Sequence, residues 1–254
     1  MRKKVLLQEF KKLEEKAKEL RRKVLILTYE RKEGHLGGSF SAIEILIWLY
    51  FKQLKKEDKF ILSKGHAYYP LYFILKEKGY HPQLLSHPEL DEKNGVYATT
   101  GSLGHGLPMA VGMALARKIQ KKKGRIYVLV GDGELEEGTT WEASIIASRY
   151  HLNNLVVIVD YNGLQALDKI EKIAPSFKNL KKIFENIGYQ VKEADGHSFY
   201  SLKKAFEKLD NSQPKMIIAY TVKGKGVSFM ENNYIWQTRA PSDEEFQKAL
   251  EELK

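Results

Sequence analysis

Two short apolar runs in the middle of the chain do not alternate with polar positions. They cover residues 126–130 and 155–159, and both are rich in β-branched side chains. Such runs are typical of parallel strands that are buried on both faces of a sheet. Because a helical segment separates them, this part of the chain predicts a βαβ unit.

The segments before and after this unit predict further helices and strands. Ser41 and Glu44 have the spacing of a capping box, which predicts that a helix begins there. A long amphipathic first helix is predicted by apolar positions at three- and four-residue steps, namely Leu6, Leu7, Phe10, Leu13, Ala17, Leu20, Val24 and Leu27. The remaining pattern predicts a strand at 59–63, helices at 67–78 and 106–120, alternating helices and strands over 177–222, and a last helix over 242–254.

Together these elements predict an α/β fold with an open, mainly parallel sheet and helices on both faces. At 254 residues the chain can bury one large core, and no Ser/Pro-rich linker marks a boundary. We therefore expect residues 1–254 to form a single domain. His197 follows a predicted strand in a turn, where we interpret it as a loop residue and not as a catalyst.

Composition narrows the possible partners. The formal charge is +10 and the pI near 9.4, but lysines alternate with glutamates, as in 11–23, which favours solvated helix surface. The chain has no cysteine and no apolar run of about eighteen residues, so we expect a soluble, cytoplasmic protein. It lacks the aromatic and basic stripe of a nucleic-acid binder and the G-x-G-x-x-G of a Rossmann nucleotide site.

Oxygen-bearing side chains follow both strands of the βαβ unit. Asp132 stands between Gly131 and Gly133, and Asn162 follows the second strand. These positions meet at the edge of an open α/β sheet where ligands bind, and glycine lets a bulky anion approach the backbone. Such oxygens suit Mg²⁺, which predicts a magnesium-bridged diphosphate, although Ca²⁺ accepts the same ligands. A plain strand-ending turn would also explain Gly-Asp-Gly.

Five spaced motifs give a resemblance to a known family. The chain resembles the transketolases, because motifs occur in the family's order at 34–38, 62–66, 87–89, 99–104 and 131–133 with Asn162. The stretch 221–232 is similar to the end of the stand-alone amino-terminal subunits of split transketolases. The resemblance implies the fold that binds thiamine diphosphate (TPP), with this chain as its diphosphate-binding domain.

The resemblance also implies three catalytic histidines. His35 matches a histidine that meets the sugar near the cofactor, His66 one near the TPP diphosphate, and His87 one that recognises the hydroxyketo end of the donor. Imidazole can donate to oxygen or move a proton near neutral pH. Beside them, Leu36 replaces a common proline and Ser86 replaces a glycine of the family pattern.

The same resemblance implies a set of cofactor-binding residues. The backbone around Gly101 would meet the aminopyrimidine, Leu103 would pack near the thiazolium, and the carbonyl of Leu164 would join Asp132 and Asn162 as metal ligands. The implied TPP-binding residues are His66, Gly101, Ser102, Leu103, Asp132, Gly133, Glu137, Asn162, Leu164 and Gln237.

Four positions in this region have open roles or depart from the family. Glu137 and Glu142 match glutamates that link two cofactor sites at a subunit interface, although acids are also expected where a helix starts. His105 replaces a usual glutamine, and capping, packing and chemical roles all stay open. Gln237 replaces a histidine near the diphosphate and substrate; its amide donates hydrogen bonds but does not titrate at neutral pH.

The function implied by the resemblance is transketolase activity, the transfer of a two-carbon ketol unit from a ketose phosphate to an aldose phosphate. It covers only the diphosphate-binding half, so a carboxyl-terminal transketolase subunit would supply the pyrimidine-domain glutamate in an α₂β₂ assembly. Two alternatives stay open. Gln237 favours a ketol transferase for an unusual, nucleotide-linked or modified sugar, and the other alternative is a non-catalytic TPP-fold subunit kept for binding or assembly.

Overall fold

A five-stranded parallel sheet forms the centre of the structure, a computed structural model that describes residues 2–165, 168–207 and 212–254. The strands are β1 (Lys59–Leu62), β2 (Ile126–Gly131), β3 (Leu155–Tyr161), β4 (Gln190–Asp195) and β5 (Lys215–Tyr220). Their order is β1-β2-β3-β5-β4, and every neighbouring pair is parallel. The predicted α/β class and the βαβ unit around β2 and β3 are confirmed.

Helices precede, connect and follow these strands. In the described ranges they are α1 (Arg2–Arg31), α2 (Leu36–Ser41), α3 (Ile43–Trp48), α4 (Tyr68–Glu77), α5 (Gly106–Ile119), α6 (Gly138–Arg149), α7 (Ile170–Ile173), α8 (Leu180–Ile187), α9 (Phe199–Phe206) and α10 (Asp243–Glu252). Short 3₁₀ turns cover Gly65–Ala67, Glu92–Asn94, Gly133–Glu136, Pro175–Asn179 and Tyr234–Gln237, and a π turn covers Leu49–Gln53. No helix in the described ranges is long and apolar enough to span a membrane.

Alternate strand residues pack into two cores, one on each face of the sheet. Val128, Val157 and Ile218 belong to the core that α5, α6 and α8 cover. Leu129 and Ile158 belong to the opposite core, which α1, α3, α4 and α9 cover. Because both of their faces are buried, the central strands β2 and β3 show no alternation of polar and apolar residues, whereas the edge strand β4 is buried only at Val191 and Ala194.

The first helix uses its apolar stripe as the sequence predicts, with one exception. Phe10, Leu13, Ala17 and Val24 are buried in the core, whereas Leu7 is 61% exposed. Its neighbour Leu6 packs against the core, so Leu7 lies outside the apolar stripe of the helix.

Helix α10 packs on the carboxyl-terminal half of α1. The rings of Tyr29 and Phe246 stack with their centroids 4.0 Å apart, and the Tyr29 hydroxyl donates to Asp243 at 2.8 Å. Ser242 and Glu245 form a capping box at the start of α10. The two helices are thus joined by stacking and by a side-chain hydrogen bond.

The capping box predicted at Ser41 is wrong. Ser41 is the last residue of α2, and α3 begins after Ala42 without a side-chain cap. The Ser41 hydroxyl donates to the carbonyl of Gly38 at 3.1 Å and to the Asp160 carboxylate at 2.6 Å. Glu44 is buried and pairs with Arg21, so tertiary partners occupy both of the side chains that a capping box would use.

Candidate active site

A cavity of about 330 Å³ opens at the carboxyl edge of the sheet, within the size range of small-molecule sites. Loops that follow β1, β2 and β3 form its floor, and Gly131 at the end of β2 pairs with Asp160 in β3. The predicted site residues that line it are His35, His66, His87, Gly101, Leu103, Asp132, Gly133, Glu137, Asn162, Leu164 and Gln237. Ser102 is exposed and is not among the residues that line it.

Three imidazoles form one wall of the cavity. The ring centroid of His35 lies 5.5 Å from that of His66 and 5.8 Å from that of His87. Burial lowers the pKa of His35 and moves the pKa of His66 well below its usual value, with the nearby Lys64 charge adding to the effect on His66. These two rings are therefore neutral at neutral pH, when each can both donate and accept a hydrogen bond.

Gln237 lies beside this histidine wall. Its carbonyl accepts from the His35 backbone N–H at 3.1 Å, and its Nε2 is 3.5 Å from His35 Nδ1. A Cβ added at Gly38 would lie 2.9 Å from His66 Nε2 and 3.5 Å from Gln237 Oε1. The missing side chain at Gly38 thus lets His66 and Gln237 approach the backbone of α2.

The predicted metal residues form another part of the cavity wall. Asp132 Oδ2 accepts from the Gly163 N–H at 2.6 Å, Asp132 Oδ1 accepts from Gly133 at 3.0 Å, and Asn162 Oδ1 accepts from Leu164 at 3.1 Å. These contacts fix the direction of both side chains and hold the turn after β3 beside Asp132. Each of these oxygens keeps a lone pair for a further ligand.

The charge environment of Asp132 fits a cation at this wall. Burial and the neighbouring Asp160 raise the pKa of Asp132 to about 7, against the opposing effect of the Gly163 hydrogen bond. In the described ranges no group of three His, Cys, Asp or Glu side chains could hold a metal ion. A carboxylate, an amide and a carbonyl oxygen nevertheless fit Mg²⁺, which takes few protein ligands and completes its shell with phosphate and water.

Two cavity lysines were missed by the sequence interpretation. Lys64 is buried, pairs with Asp160 and donates to the carbonyl of Gly38 at 2.9 Å. Lys223 Nζ donates to the Leu164 carbonyl at 3.2 Å, and burial together with the Lys64 charge lowers the pKa of Lys223 to about 8. Both stand in the quoted motifs, yet the many lysines on helix surfaces gave no reason to separate them.

Glu134 was also missed, because an acid after Gly-Asp-Gly is expected near a helix start. It is 1% exposed, and its carboxylate accepts from the Ser63 hydroxyl at 2.6 Å and from the N–H groups of Gly131 and Gly104 at 2.9 and 3.0 Å. Burial raises the pKa of Glu134, while these hydrogen bonds lower it. The side chain therefore joins three loops around the cavity.

Three of the residues with open roles are exposed. Glu137 and Glu142 are exposed at the start of α6, which fits both a subunit contact and an ordinary helix start. His105 is exposed at the start of α5 and makes no capping hydrogen bond with its side chain. Of the roles left open for His105, capping is thus ruled out.

The fold and the cavity define an α/β protein with a ligand-sized cavity at the carboxyl edge of a parallel sheet. The sequence profile of the family described as "Transketolase, thiamine diphosphate binding domain" matches residues 14–251. The chain therefore belongs to the transketolase family, which confirms the resemblance found in its motifs.

Several relatives resemble the chain over most of its length. An apulose-4-phosphate transketolase subunit of Actinobacillus succinogenes is 40% identical over an alignment that covers 95% of this chain and 96% of the relative. A 6-deoxy-6-sulfo-D-fructose transketolase subunit of Clostridium sp. is 36% identical over 87% of this chain and 88% of the relative. Human transketolase is 36% identical over 90% of this chain, which corresponds to 40% of the human protein.

A solved structure gives the same result for the fold. The transketolase of Campylobacter jejuni subsp. jejuni NCTC 11168 superimposes with a TM-score of 0.84 at 30% sequence identity. The match covers 95% of this chain and 42% of that transketolase. The chain thus corresponds to less than half of the length of the human and C. jejuni enzymes.

Proposed function

We propose that this chain is the amino-terminal subunit of a split, TPP-dependent transketolase. It would transfer a two-carbon ketol unit from a ketose phosphate to an aldose phosphate. The observation that carries the proposal is that one cavity is lined by Asp132 and Asn162 and also by His35, His66 and His87. A metal-held diphosphate and the reacting sugar would both bind in this cavity.

The chain's own residues would hold the cofactor at the edge of the sheet. Asp132, Asn162 and the Leu164 carbonyl would bind Mg²⁺ or Ca²⁺, and the metal would bind the TPP diphosphate. Lys64 and Lys223 would add positive charge beside that diphosphate. When bound, TPP supplies the carbon nucleophile that carries the two-carbon unit.

The histidine wall would act on the sugar. Neutral imidazoles can donate to a carbonyl or hydroxyl oxygen and can accept a proton from a hydroxyl. In this proposal His35 and His87 would orient the sugar, and His66 would donate to the sugar or to the diphosphate. Gly101 and Leu103 would shape the cleft for the two rings of TPP.

A second subunit is part of the proposal. The two relatives named as parts of an apulose-4-phosphate transketolase match nearly the whole of this chain, and each is named as one subunit of its enzyme. Ile145 and Ile146 are neighbours on α6 and are 59% and 43% exposed, so together they offer an apolar surface for a contact with another chain. We propose a cytoplasmic α₂β₂ assembly in which this single diphosphate-binding domain of residues 1–254 meets a pyrimidine-domain glutamate of the partner.

A modified sugar is a second candidate substrate. The bacterial relatives act, by their names, on apulose-4-phosphate and on 6-deoxy-6-sulfo-D-fructose. Gln237 contacts His35 with an amide that does not titrate, so this chain differs from the family pattern where donor and cofactor meet. Comparing the turnover of pentose phosphates with that of modified sugars by the assembled pair separates the two substrate classes.

The experiment that tests the function is affinity capture of the tagged chain from its native lysate with TPP and Mg²⁺ in the buffer. We expect mass spectrometry to identify a chain that resembles the transketolase pyrimidine-binding and carboxyl-terminal domains, and the pair to transfer ketol units. Capture of the chain alone, or of a pair without activity, contradicts the proposal. Activity of this chain without a partner contradicts the proposal that it is one subunit of a split enzyme.

A further inference from the structure

Lys223 reaches the cavity from a loop segment after β5, defined here as residues 221–227. Lys223 has no secondary structure of its own to fix its position, because the segment leaves the sheet at Tyr220. The Thr221 N–H donates to the Tyr161 carbonyl at 2.9 Å, and Gly224 donates to Gly37 at 3.0 Å. These two hydrogen bonds lie on either side of Lys223 in the sequence and hold the segment against β3 and α2.

A buried ionic group holds the same segment from the side away from the cavity. Arg21 on α1 and Glu44 on α3 pair through both carboxylate oxygens, with each contact at 2.8 Å. Arg21 Nε also donates to the Lys225 carbonyl at 2.7 Å. His197 completes the group, with Nδ1 2.9 Å from Glu44 Oε2.

His197 connects this group to the residue before Lys223. Its Nε2 accepts from the Val222 N–H at 2.8 Å. Because Nε2 accepts, the proton must be on Nδ1, which then donates to Glu44. Arg21, Glu44 and His197 do not line the cavity. Arg21 also donates to the Phe40 carbonyl of α2 at 3.3 Å, whereas His197 contacts the segment directly at Val222.

We infer that His197 is a positioning residue that holds the backbone of Val222 so that the Lys223 ammonium stays in the cavity beside the Leu164 carbonyl. The inference rests on the proposed function, in which Lys223 faces the TPP diphosphate. Lys223 also packs on α2, since a Cβ added at Gly37 would lie 2.9 Å from Lys223 Cγ. The Lys223 side chain therefore lies between the Val222 backbone and α2. If the Val222 contact is lost, the Lys223 backbone can shift, and the ammonium then moves from its place in the cavity.

Two substitutions of His197 each keep one of the two hydrogen bonds that the imidazole makes and remove the other. The amide oxygen of His197→Gln can reach the place of Nε2 and accept from Val222. The amide nitrogen of His197→Asn can replace Nδ1 and donate to Glu44, but it leaves the Val222 N–H without its acceptor. His81→Asn, at an exposed histidine, is the matched control.

The first measurement is hydrogen exchange at the amides of 221–227 in the full chain, which needs no cofactor. We expect faster exchange in His197→Asn, and exchange like the wild type in His197→Gln and His81→Asn. The second is the affinity of the assembled pair for TPP with Mg²⁺. We expect His197→Asn to weaken it roughly tenfold, as is typical for residues that orient a ligand-binding group, and His197→Gln to restore it.

A double-mutant cycle shows whether the effect passes through Lys223. In a Lys223→Met background, His197→Asn should cause no further loss of TPP affinity, because the group that it positions is gone. Equal losses in both backgrounds, or a His197→Gln variant no better than His197→Asn, overturn the inference. A wild-type pair that binds no TPP contradicts the proposed function instead, and the exchange data still decide whether His197 holds the segment.

Discussion

At the scale of single residues, Asp132 is the carboxylate whose surroundings most oppose its charge. It is 3% exposed, and burial with the nearby Asp160 raises its pKa to about 7. Lys64 and Lys223 only partly offset this effect. A divalent cation beside Asp132 would stabilise the ionised form, so metal binding and ionisation of this side chain are linked.

Asp132→Ala should remove Mg²⁺-dependent TPP binding while the chain stays folded. The expected loss is at least roughly a hundredfold in affinity, since residues that only orient metal ligands already account for ten- to hundredfold. Calorimetric titration of the assembled pair with TPP and Mg²⁺ measures it. Glu57→Gln, an exposed carboxylate far from the cavity, is the control and should bind normally. Unchanged binding by Asp132→Ala would rule out this residue as a ligand.

Gln237→His would add a fourth imidazole to the histidine wall, beside His35. Gln237 Nε2 is now 3.5 Å from His35 Nδ1. An imidazole there titrates near neutral pH, whereas the amide does not. We expect the pH profile of kcat/KM to gain a limb near neutrality and the preference between pentose phosphates and modified sugars to change. Identical profiles and preferences in the two proteins would remove Gln237 as a specificity determinant.

The sequence predicted the histidines and the metal residues because each has a motif or a strand end to mark it. Lys64, Lys223 and Glu134 were not singled out, for a physical reason. Burial decides whether a lysine is a surface charge or a cavity cation, and burial comes from contacts with distant residues such as Asp160 and Leu164. Nothing in the local spacing of the three residues reports those contacts.

At the scale of elements, the ionic group of Arg21, Glu44 and His197 joins α1, α3 and the turn after β4. Burial alone would raise the pKa of the Glu44 carboxyl, but the Arg21 charge and the His197 hydrogen bond lower it to about 2. The ionised carboxylate is therefore favoured in the folded chain. Pairing of this kind stabilises the fold only where Glu44 carries its charge.

Glu44→Gln should change both the stability and its dependence on pH. The folded pKa of about 2 lies below the ordinary value of 4.5, so the wild-type contribution is complete above pH 4.5 and lost as the pH falls towards 2. We expect the variant to be less stable at pH 7 by about 3–5 kcal/mol, because Arg21 loses its buried partner. Thermal unfolding between pH 2 and 7 measures both effects.

The variant's Tm should fall less steeply than the wild-type Tm between pH 4.5 and 2, the range set by the two pKa values. Glu30→Gln, on the exposed side of α1, is the control and should follow the wild type over the whole range. Parallel curves for Glu44→Gln and the wild type would contradict the linkage.

Elements were predicted well where packing and local pattern agree. The runs at 126–130 and 155–159 became β2 and β3 because the side chains on both of their faces are buried. The capping box at Ser41 failed because Asp160 and Arg21 offered the same side chains buried partners. The spacing of Ser41 and Glu44 is compatible with either outcome, so sequence alone could not decide between them.

At the scale of the whole molecule, the exposed isoleucines of α6 provide a test of assembly. Ile146→Glu should leave the chain folded, because the side chain is 43% exposed. It should weaken association with the carboxyl-terminal subunit, since a charge would be buried at the contact. Light scattering of the mixed subunits measures the change.

The matched control is Ile26→Glu on α1, at a site that is 36% exposed on the opposite face of the sheet. It should assemble normally. If Ile146→Glu does not affect association, or if Ile26→Glu weakens it equally, the exposed isoleucines of α6 are not the subunit contact.

The packing of α10 on α1 has a consequence for how the chain folds during synthesis. Tyr29 is made more than two hundred residues before Phe246, its stacking partner. Likewise β4 leaves the ribosome before β5, the only strand it pairs with among the described residues. Contacts between such distant positions form slowly and late. A nascent chain therefore keeps one side of its first helix uncovered until α10 has been made, and in that interval it is open to chaperones and to premature association.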